Sequence, residues 1–389
     1  MTPAAGPDRP LRIAVVHSFY SSRQPSGENV VVDLQVAALQ RAGHDVRLVA
    51  RRTDDLEHRR TYPLLAGATV ASGRGPTPRA ELEAFAPDVV HVHNLFPNFG
   101  RTWVREYAGR LVATLHNYRP VCAAGTLFRD GGSCTLCPDG RSSRPAVRHR
   151  CYKGSAVATT PVAIGTRFAA DPLLASADRI ITLNDDMRSR YAAVGVDADR
   201  LVTVPNFVEA PEAGGPAAAH DGDHWLFVGR LSEEKGILPL VRDWPVGPRL
   251  LVVGSGELEA EVAAAAGPTV ELLGQQPQAR VRELMASARG LFFPSLWPEG
   301  LPTVYLEALA AGLPVVASPH SVVGGLVRSE GTGFVASGSV ADDVERAEVE
   351  FPRMMAGCRA VYDARYTEAA WLAAVADLYR SLPGVRGRS

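Results

Sequence analysis

Residues 292–314 read FFPSLWPEGLPTVYLEALAAGLP. The apolar run ends at Ser295, Pro298 and Pro302 interrupt the chain, and a helical pattern begins near Thr303, the candidate N-cap. A second apolar run, 314–318, follows directly. Strand, loop, helix and strand in that order form the unit of a parallel sheet with crossover helices. The same alternation recurs in both directions from this stretch. Upstream in the second half it appears at 225–230, 249–254, 270–274 and 290–295, and downstream at 333–336. In the first half the runs are 12–18, 45–50, 88–94, 111–117, 179–184 and 201–206, with helical stretches such as VVDLQVAALQRAG at 31–43 between them. Residues 209–223, EAPEAGGPAAAHDGD, lose periodicity and accumulate Pro, Ala and Gly, as a linker does. The expected fold is therefore α/β, with two Rossmann-like domains facing across a cleft: residues 1–208 and 209–365. Residues 366–382 place Trp371, Leu372, Val375, Leu378 and Tyr379 on one helical face, and the 366–389 tail is assigned to the first domain.

Composition narrows the class. The 389 residues are 46% hydrophobic and 21% charged, enough apolar surface for full cores. With 41 basic against 42 acidic residues, no global field recruits nucleic acid or an anionic membrane, so any anion site must be local. No apolar run is long enough to span a bilayer, and MTPAAGPDRP lacks the basic and apolar segments of a secretory signal, so the chain reads as cytoplasmic.

Chemistry concentrates at a few points. In 292–314 the loop and helix start offer backbone N–H groups at Gly300, Leu301 and Thr303, the arrangement of an anion site. Glu299 lies on the loop, within reach of a substrate above it, and Glu307 lies one turn into the helix, suited to diol hydroxyls. In VGRLSEEKGI, residues 228–237, Arg230 leaves a strand end and Lys235 opens the next helix, so two cations can converge on a diphosphate. Lys153 and Lys235 are the only lysines, which makes the choice of lysine here distinctive. VGSGEL (253–258) carries Gly254, Ser255 and Gly256 in a strand-to-helix turn, and Pro25, Ser26, Gly27 and Glu28 form another just before a helix. His91 and His93 share one face of DVVHVHN, while His116 ends LVATLHN at the carboxyl side where chemistry gathers in such sheets. Asn206 reads as a structural cap.

Cys122, Cys134, Cys137 and Cys151 follow as C-x11-C-x2-C-x13-C in an insert, 118–154. The C-x2-C knuckle with its flanking pair fits a structural zinc site, with free or redox-active thiols, disulfides and an iron–sulfur cluster as alternatives. Arg141, Arg144, Arg148, Arg150 and Lys153 give the insert a basic face, either solvated or in contact with an acidic acceptor or lipid phosphate. Two D-x-D strings, 197–199 and 221–223, fall in a turn and in the linker and read as non-metal.

GRLSEEKG, the spacing of Glu299 to Glu307, PNFVE at the domain junction and the GE start of the first helix together resemble family 4 retaining glycosyltransferases of the GT-B fold. The HNYR stretch followed by cysteines resembles one subgroup of that family. The resemblance implies that Arg230 and Lys235 hold the nucleotide diphosphate, Glu307 the ribose, Glu299 the donor sugar, and the amides of Gly300 and Leu301 the sugar or phosphate. It further implies that the loop at Gly27 closes on the diphosphate, that His116 contacts the transferred sugar, and that the last helix crosses back to the first domain. The expected reaction moves a sugar from a UDP-, GDP- or other nucleotide-diphosphate sugar to a hydroxyl or amine, with no catalytic metal. Its acceptor is a small molecule, a polysaccharide or a lipid-linked intermediate, and membrane association stays open. The alternatives are an epimerase, hydrolase or pseudo-glycosyl coupling enzyme on the same fold, or an inactive nucleotide-sugar-binding protein.

Overall fold

A computed structural model describes residues 9–23, 26–209 and 222–386. Most of the expected linker, and Pro25 and Asp221, lie outside them. The chain divides into two compact units: Met1–Gly125, Leu136–Val204 and Leu372–Ser389 form one, Thr126–Thr135 and Pro205–Trp371 the other.

In the first unit β1 (Arg12–Phe19), β2 (Asp45–Arg52), β3 (Val89–Asn94) and β4 (Leu111–Leu115) are followed, after the insert, by β7 (Arg179–Thr182) and β8 (Leu201–Thr203). They pair in parallel in the order β2-β1-β3-β4-β7-β8. Ile13 to Val16 are buried without alternation, as expected for a strand covered on both faces. The insert contributes a short hairpin, β5 (Phe128–Arg129) and β6 (Gly132–Ser133), which groups with the second unit.

The second unit holds β9 (His224–Val228), β10 (Arg249–Val253), β11 (Val270–Gly274), β12 (Leu291–Phe293), β13 (Val315–Ala317) and β14 (Gly333–Val335). Their order, β11-β10-β9-β12-β13-β14, is the doubly wound arrangement in which direction reverses between β9 and β12. Trp225, Phe227, Phe292 and Phe334 of the sheet pack with Phe351, from the helix Val340–Arg365, into its core. Gly254 closes β10 at φ +138°, and a Cβ there would stand 1.8 Å from the Gly229 carbonyl oxygen. Backbone packing against the β9 loop thus accounts for this glycine.

The last long helix, Glu368–Arg380, buries Trp371, Val375, Leu378 and Tyr379 and half-buries Leu372. Tyr366 closes the preceding helix instead of opening this one. Trp371 packs on Phe207 within the second unit, the rings tilted with centroids 5.4 Å apart, whereas Tyr379 hydrogen-bonds His91 within the first. The helix therefore returns to the first domain, as expected.

Candidate active site

The reversal between β9 and β12 places two loops side by side at the carboxyl ends of adjacent strands, where ligands bind in open α/β sheets. The β9 loop tightens into a 3-10 turn, Glu233–Lys235, and Gly236 at φ +67° starts the helix Ile237–Arg242. Lys235 therefore closes a turn and does not open the helix. The Glu234 carbonyl accepts from the Leu296 amide at 2.8 Å, stitching the two loops together. Lys235 Nζ then lies 2.8 Å from Glu299 Oε1, which also accepts from Ser295 Oγ at 2.5 Å. The ammonium sits 5.9 Å from the Phe293 ring and 5.7 Å from that of Trp297. Glu299 is buried and ion-paired, not projecting from its loop. Arg230 is exposed, 4.0 Å from Glu234.

Pro302, not Thr303, is the residue before the helix Thr303–Ala310. Having no side-chain acceptor, it leaves that helix start without a side-chain cap, the condition that favours an anion there. Glu307 accepts from Gln278 Nε2 at 2.6 Å, and burial lifts its carboxyl to about 7 against the pull of Arg282. Ser295, Trp297 and Gln278 escaped the sequence reading. Only the return of Gln278 to the first turn of the helix after β11 hints at its part.

In the first unit, β1, β3 and β4 are neighbours and carry His17, His93 and, just past its end, His116. His93 Nδ1 and His116 Nε2 share a proton over 3.0 Å, their rings stacked. His91 lies 4.3 Å from His93 between ring centroids and is held at 2.7 Å by both Thr114 Oγ1 and the Tyr379 hydroxyl. His17 Nε2 donates to Asn29 Oδ1 at 3.1 Å. Burial pushes His116 and His91 down to about 3 and His17 to about 4, and holds His93 well below its usual value, with neighbouring histidines adding to the effect for His93 and His116. At neutral pH the cluster consists of uncharged imidazoles that can hydrogen-bond but carry no positive charge. His17, absent from the sequence reading, holds in RIAVVHS the strand-end place that His93 holds in DVVHVHN.

Gly27 is the first residue of the helix Gly27–Arg41, and Glu28 Oε2 accepts from Asn117 Nδ2 at 3.1 Å, beside His116. Burial raises the Glu28 carboxyl to about 8. A pocket opens next to His93, His116 and Asn117, its walls largely apolar through Phe96, Phe99 and Leu173. Asn206 is buried.

Among the described residues, no three His, Cys, Asp or Glu side chains gather as a metal site. The four-cysteine zinc cage is thus not formed by these residues. Cys137 is buried beside Ala123, Ala146 and Val162, with half-buried Cys151 packed against the same cluster. Of the D-x-D strings, Asp197 caps a turn through the Asp199 amide, and Asp223 pairs with Arg249.

Residues 25–210 match the family described as Glycosyltransferase Family 4, and residues 222–349 match Glycosyl transferases group 1. Each half of the chain thus matches a glycosyltransferase family model. A phosphatidyl-myo-inositol mannosyltransferase of Mycobacterium leprae is 35% identical over 134 residues, 32% of this chain and 33% of that protein. An amylovoran biosynthesis glycosyltransferase of Erwinia amylovora is 30% identical over 135 residues, 31% of this chain and 33% of that one. The chain thus spans about a third of the length of these curated relatives. Among solved structures, sucrose-phosphate synthase of Thermosynechococcus elongatus aligns at TM-score 0.65 and 19% identity over 96% of this chain and 99% of that one. Anabaena HepE in complex with UDP and glucose aligns at 0.61 and 14% over 96% and 100%. These likenesses establish for the glycosyltransferase domains the GT-B architecture of two Rossmann-like domains.

Proposed function

We propose that the chain is a retaining glycosyltransferase that moves a sugar from a nucleoside diphosphate to an acceptor hydroxyl or amine. The observation that carries the reading is the Lys235–Glu299 pair at the β9/β12 reversal, with exposed Arg230 beside it and an uncapped helix start following. Anabaena HepE, which shares the fold, holds UDP and glucose. In this reading the second unit binds the donor. Arg230 and Lys235 neutralise the diphosphate, and Lys235 is held in place by Glu299. The amides of Gly300 and Leu301 complete the anion site, Glu307 takes the ribose hydroxyls and Glu299 the donor sugar. The first unit binds the acceptor, with His116 recognising the transferred sugar and the loop at Gly27 taking part in holding the diphosphate.

Chemically, the bond from the anomeric carbon to the phosphate oxygen breaks while the acceptor oxygen or nitrogen bonds to that carbon on the same face. The departing phosphate takes the acceptor's proton. Negative charge grows on the diphosphate in the transition state, where Arg230, Lys235 and oriented amides stabilise it. That is the part a divalent cation plays in other folds. His116, uncharged, contributes a hydrogen bond and no acid. Titration of UDP and GDP into the wild type and an Arg230→Gln/Lys235→Gln variant tests the reading, with a loss of about a hundredfold or more expected. Equal binding would refute it. Following donor turnover by NMR with and without acceptor separates transfer from epimerisation or hydrolysis, both of which proceed without one.

A further inference from the structure

A depression on the first unit, separate from the histidine cluster, is lined by Arg105, Arg141, Arg144 and Arg167 together with the hydroxyls of Thr102 and Ser142. Its lining holds no acidic residue. These arginines are exposed, and among the described residues none makes an ion pair. The contrast within the same wall is informative. Arg101 is committed, bonded to Asp171 and to the carbonyls of Val70 at 3.1 Å and Gly165 at 2.9 Å, so it builds the wall and is not available to a ligand. The other four have no such assignment. In a chain whose charges nearly balance, four guanidinium groups lining one concavity with no acidic partner make it locally positive, a field that a bound anion would relieve. Two wall residues, Arg141 at φ +44° and Phe168 at φ +51°, hold left-handed backbone that side chains disfavour, and so keep a strained shape around the depression.

We propose that this depression binds a phosphate or diphosphate group. Planar guanidinium forks match phosphate oxygens two at a time, and the Ser142 hydroxyl, which accepts from the Arg144 amide at 3.4 Å, still has its proton to donate. The site is distinct from the donor loops of the second unit and does not depend on the glycosyl-transfer reading. Arg101 and Thr166 line both this depression and the pocket beside His116, so a phosphate held here lies one wall away from that pocket. The phosphate has two sources: a soluble phosphorylated compound or an anionic lipid headgroup. The second is relevant because Ile164, on the rim, is 57% exposed, and Leu64 and Val157 stand out at 77% and 85% on the helices Tyr62–Ser72 and Ala156–Gly165. Those helices pack together where Gly67 meets Pro161.

The test compares the wild type with an Arg105→Gln/Arg141→Gln/Arg144→Gln/Arg167→Gln variant. Pyrophosphate is titrated at low salt into both proteins carrying in addition Arg230→Gln/Lys235→Gln, so that the donor loops do not take it up, and vesicles of phosphatidylglycerol or phosphatidylcholine are co-sedimented with each protein. UDP binding and circular dichroism serve as controls for the fold. A loss of tenfold or more for pyrophosphate in the variant, with UDP binding kept, supports a site for soluble phosphate. Loss of phosphatidylglycerol binding alone supports a headgroup site. If wild type and variant agree within twofold on both probes, or the wild type binds neither, the proposal is overturned. Should the fourfold variant misfold, Arg105→Gln and Arg167→Gln singly are each expected to weaken the same probe about threefold, and unchanged binding in both overturns it equally.

Discussion

Lys235 Nζ and Glu299 Oε1 stand 2.8 Å apart, although 64 residues separate them in the chain. The pair is largely removed from solvent, so each charge depends on the other. Removing one partner of a buried pair strands the remaining charge, at a typical cost of about 3–5 kcal/mol, whereas replacing both with apolar groups is far milder. Lys235→Met should therefore destabilise the second unit strongly, and Lys235→Met/Glu299→Leu should recover most of that loss. Chemical denaturation of the three proteins reads this out directly.

Glu307 gives nucleotide binding a pH dependence. Its carboxyl, raised to about 7, must ionise to accept hydrogen bonds from a diol. Affinity for UDP or GDP should strengthen as pH rises through 7 and weaken below it, by up to about tenfold per pH unit. Glu307→Gln should flatten the profile. Calorimetric titrations at pH 6, 7 and 8 are sufficient.

His116 should leave no such mark. With its value pushed to about 3 it stays uncharged over the working range, so His116→Ala should lower kcat by about 10² to 10³ without removing an inflection near 6.5. His93→Ala, which removes the partner 3.0 Å away, should lower kcat less, and His93→Gln should restore part of the loss. Steady-state kinetics against pH distinguish these outcomes.

The histidine cluster also sets the acid limit of the first unit. His17, His91, His93 and His116 all have folded-state values below the unfolded 6.5. Their contribution is complete above about 6.5 and is lost as pH falls toward 4 and 3. Glu28, raised to about 8, acts in the opposite sense: its contribution is present below about 4.5 and is lost as pH rises through 8, so it offsets one of the four. Tm should therefore drop on acidification from pH 6.5 to 4.5, and Glu28→Gln should raise Tm at pH 8.5 more than at pH 5. Scanning calorimetry at the four pH values checks both.

Gly254→Ala should prevent folding of the second unit. The φ of +138° and the 1.8 Å approach to the Gly229 oxygen leave no room for a Cβ, at a cost beyond about 4 kcal/mol. Soluble yield and circular dichroism reveal it.

The central strands were legible because both sheets are parallel and their middle strands are covered on both faces, so these read as apolar runs, as in IAVV and WLFV. The candidate residues stood out where they ended such runs, as His93 and His116 do. What stayed hidden depends on packing between distant segments. Nothing local announces that Lys235 meets Glu299, that Gln278 meets Glu307, or that His17 joins the cluster. The helix start was misplaced by one residue because Thr303 has the chemistry of a cap while Pro302 has the backbone for one. The cysteine spacing suggested a metal, yet spacing gives order along the chain and not convergence in space, and Cys137 went to an apolar cluster instead.

The bond between Tyr379 and His91 has a consequence for biogenesis. The first unit draws on residues 372–386 as well as on those near its own strands, so a nascent chain cannot finish that unit when residue 204 leaves the ribosome. At ordinary elongation rates the buried His91 ring waits roughly fifteen to sixty seconds for its hydroxyl partner to be synthesised. The domain that is translated first is thus the one that matures last.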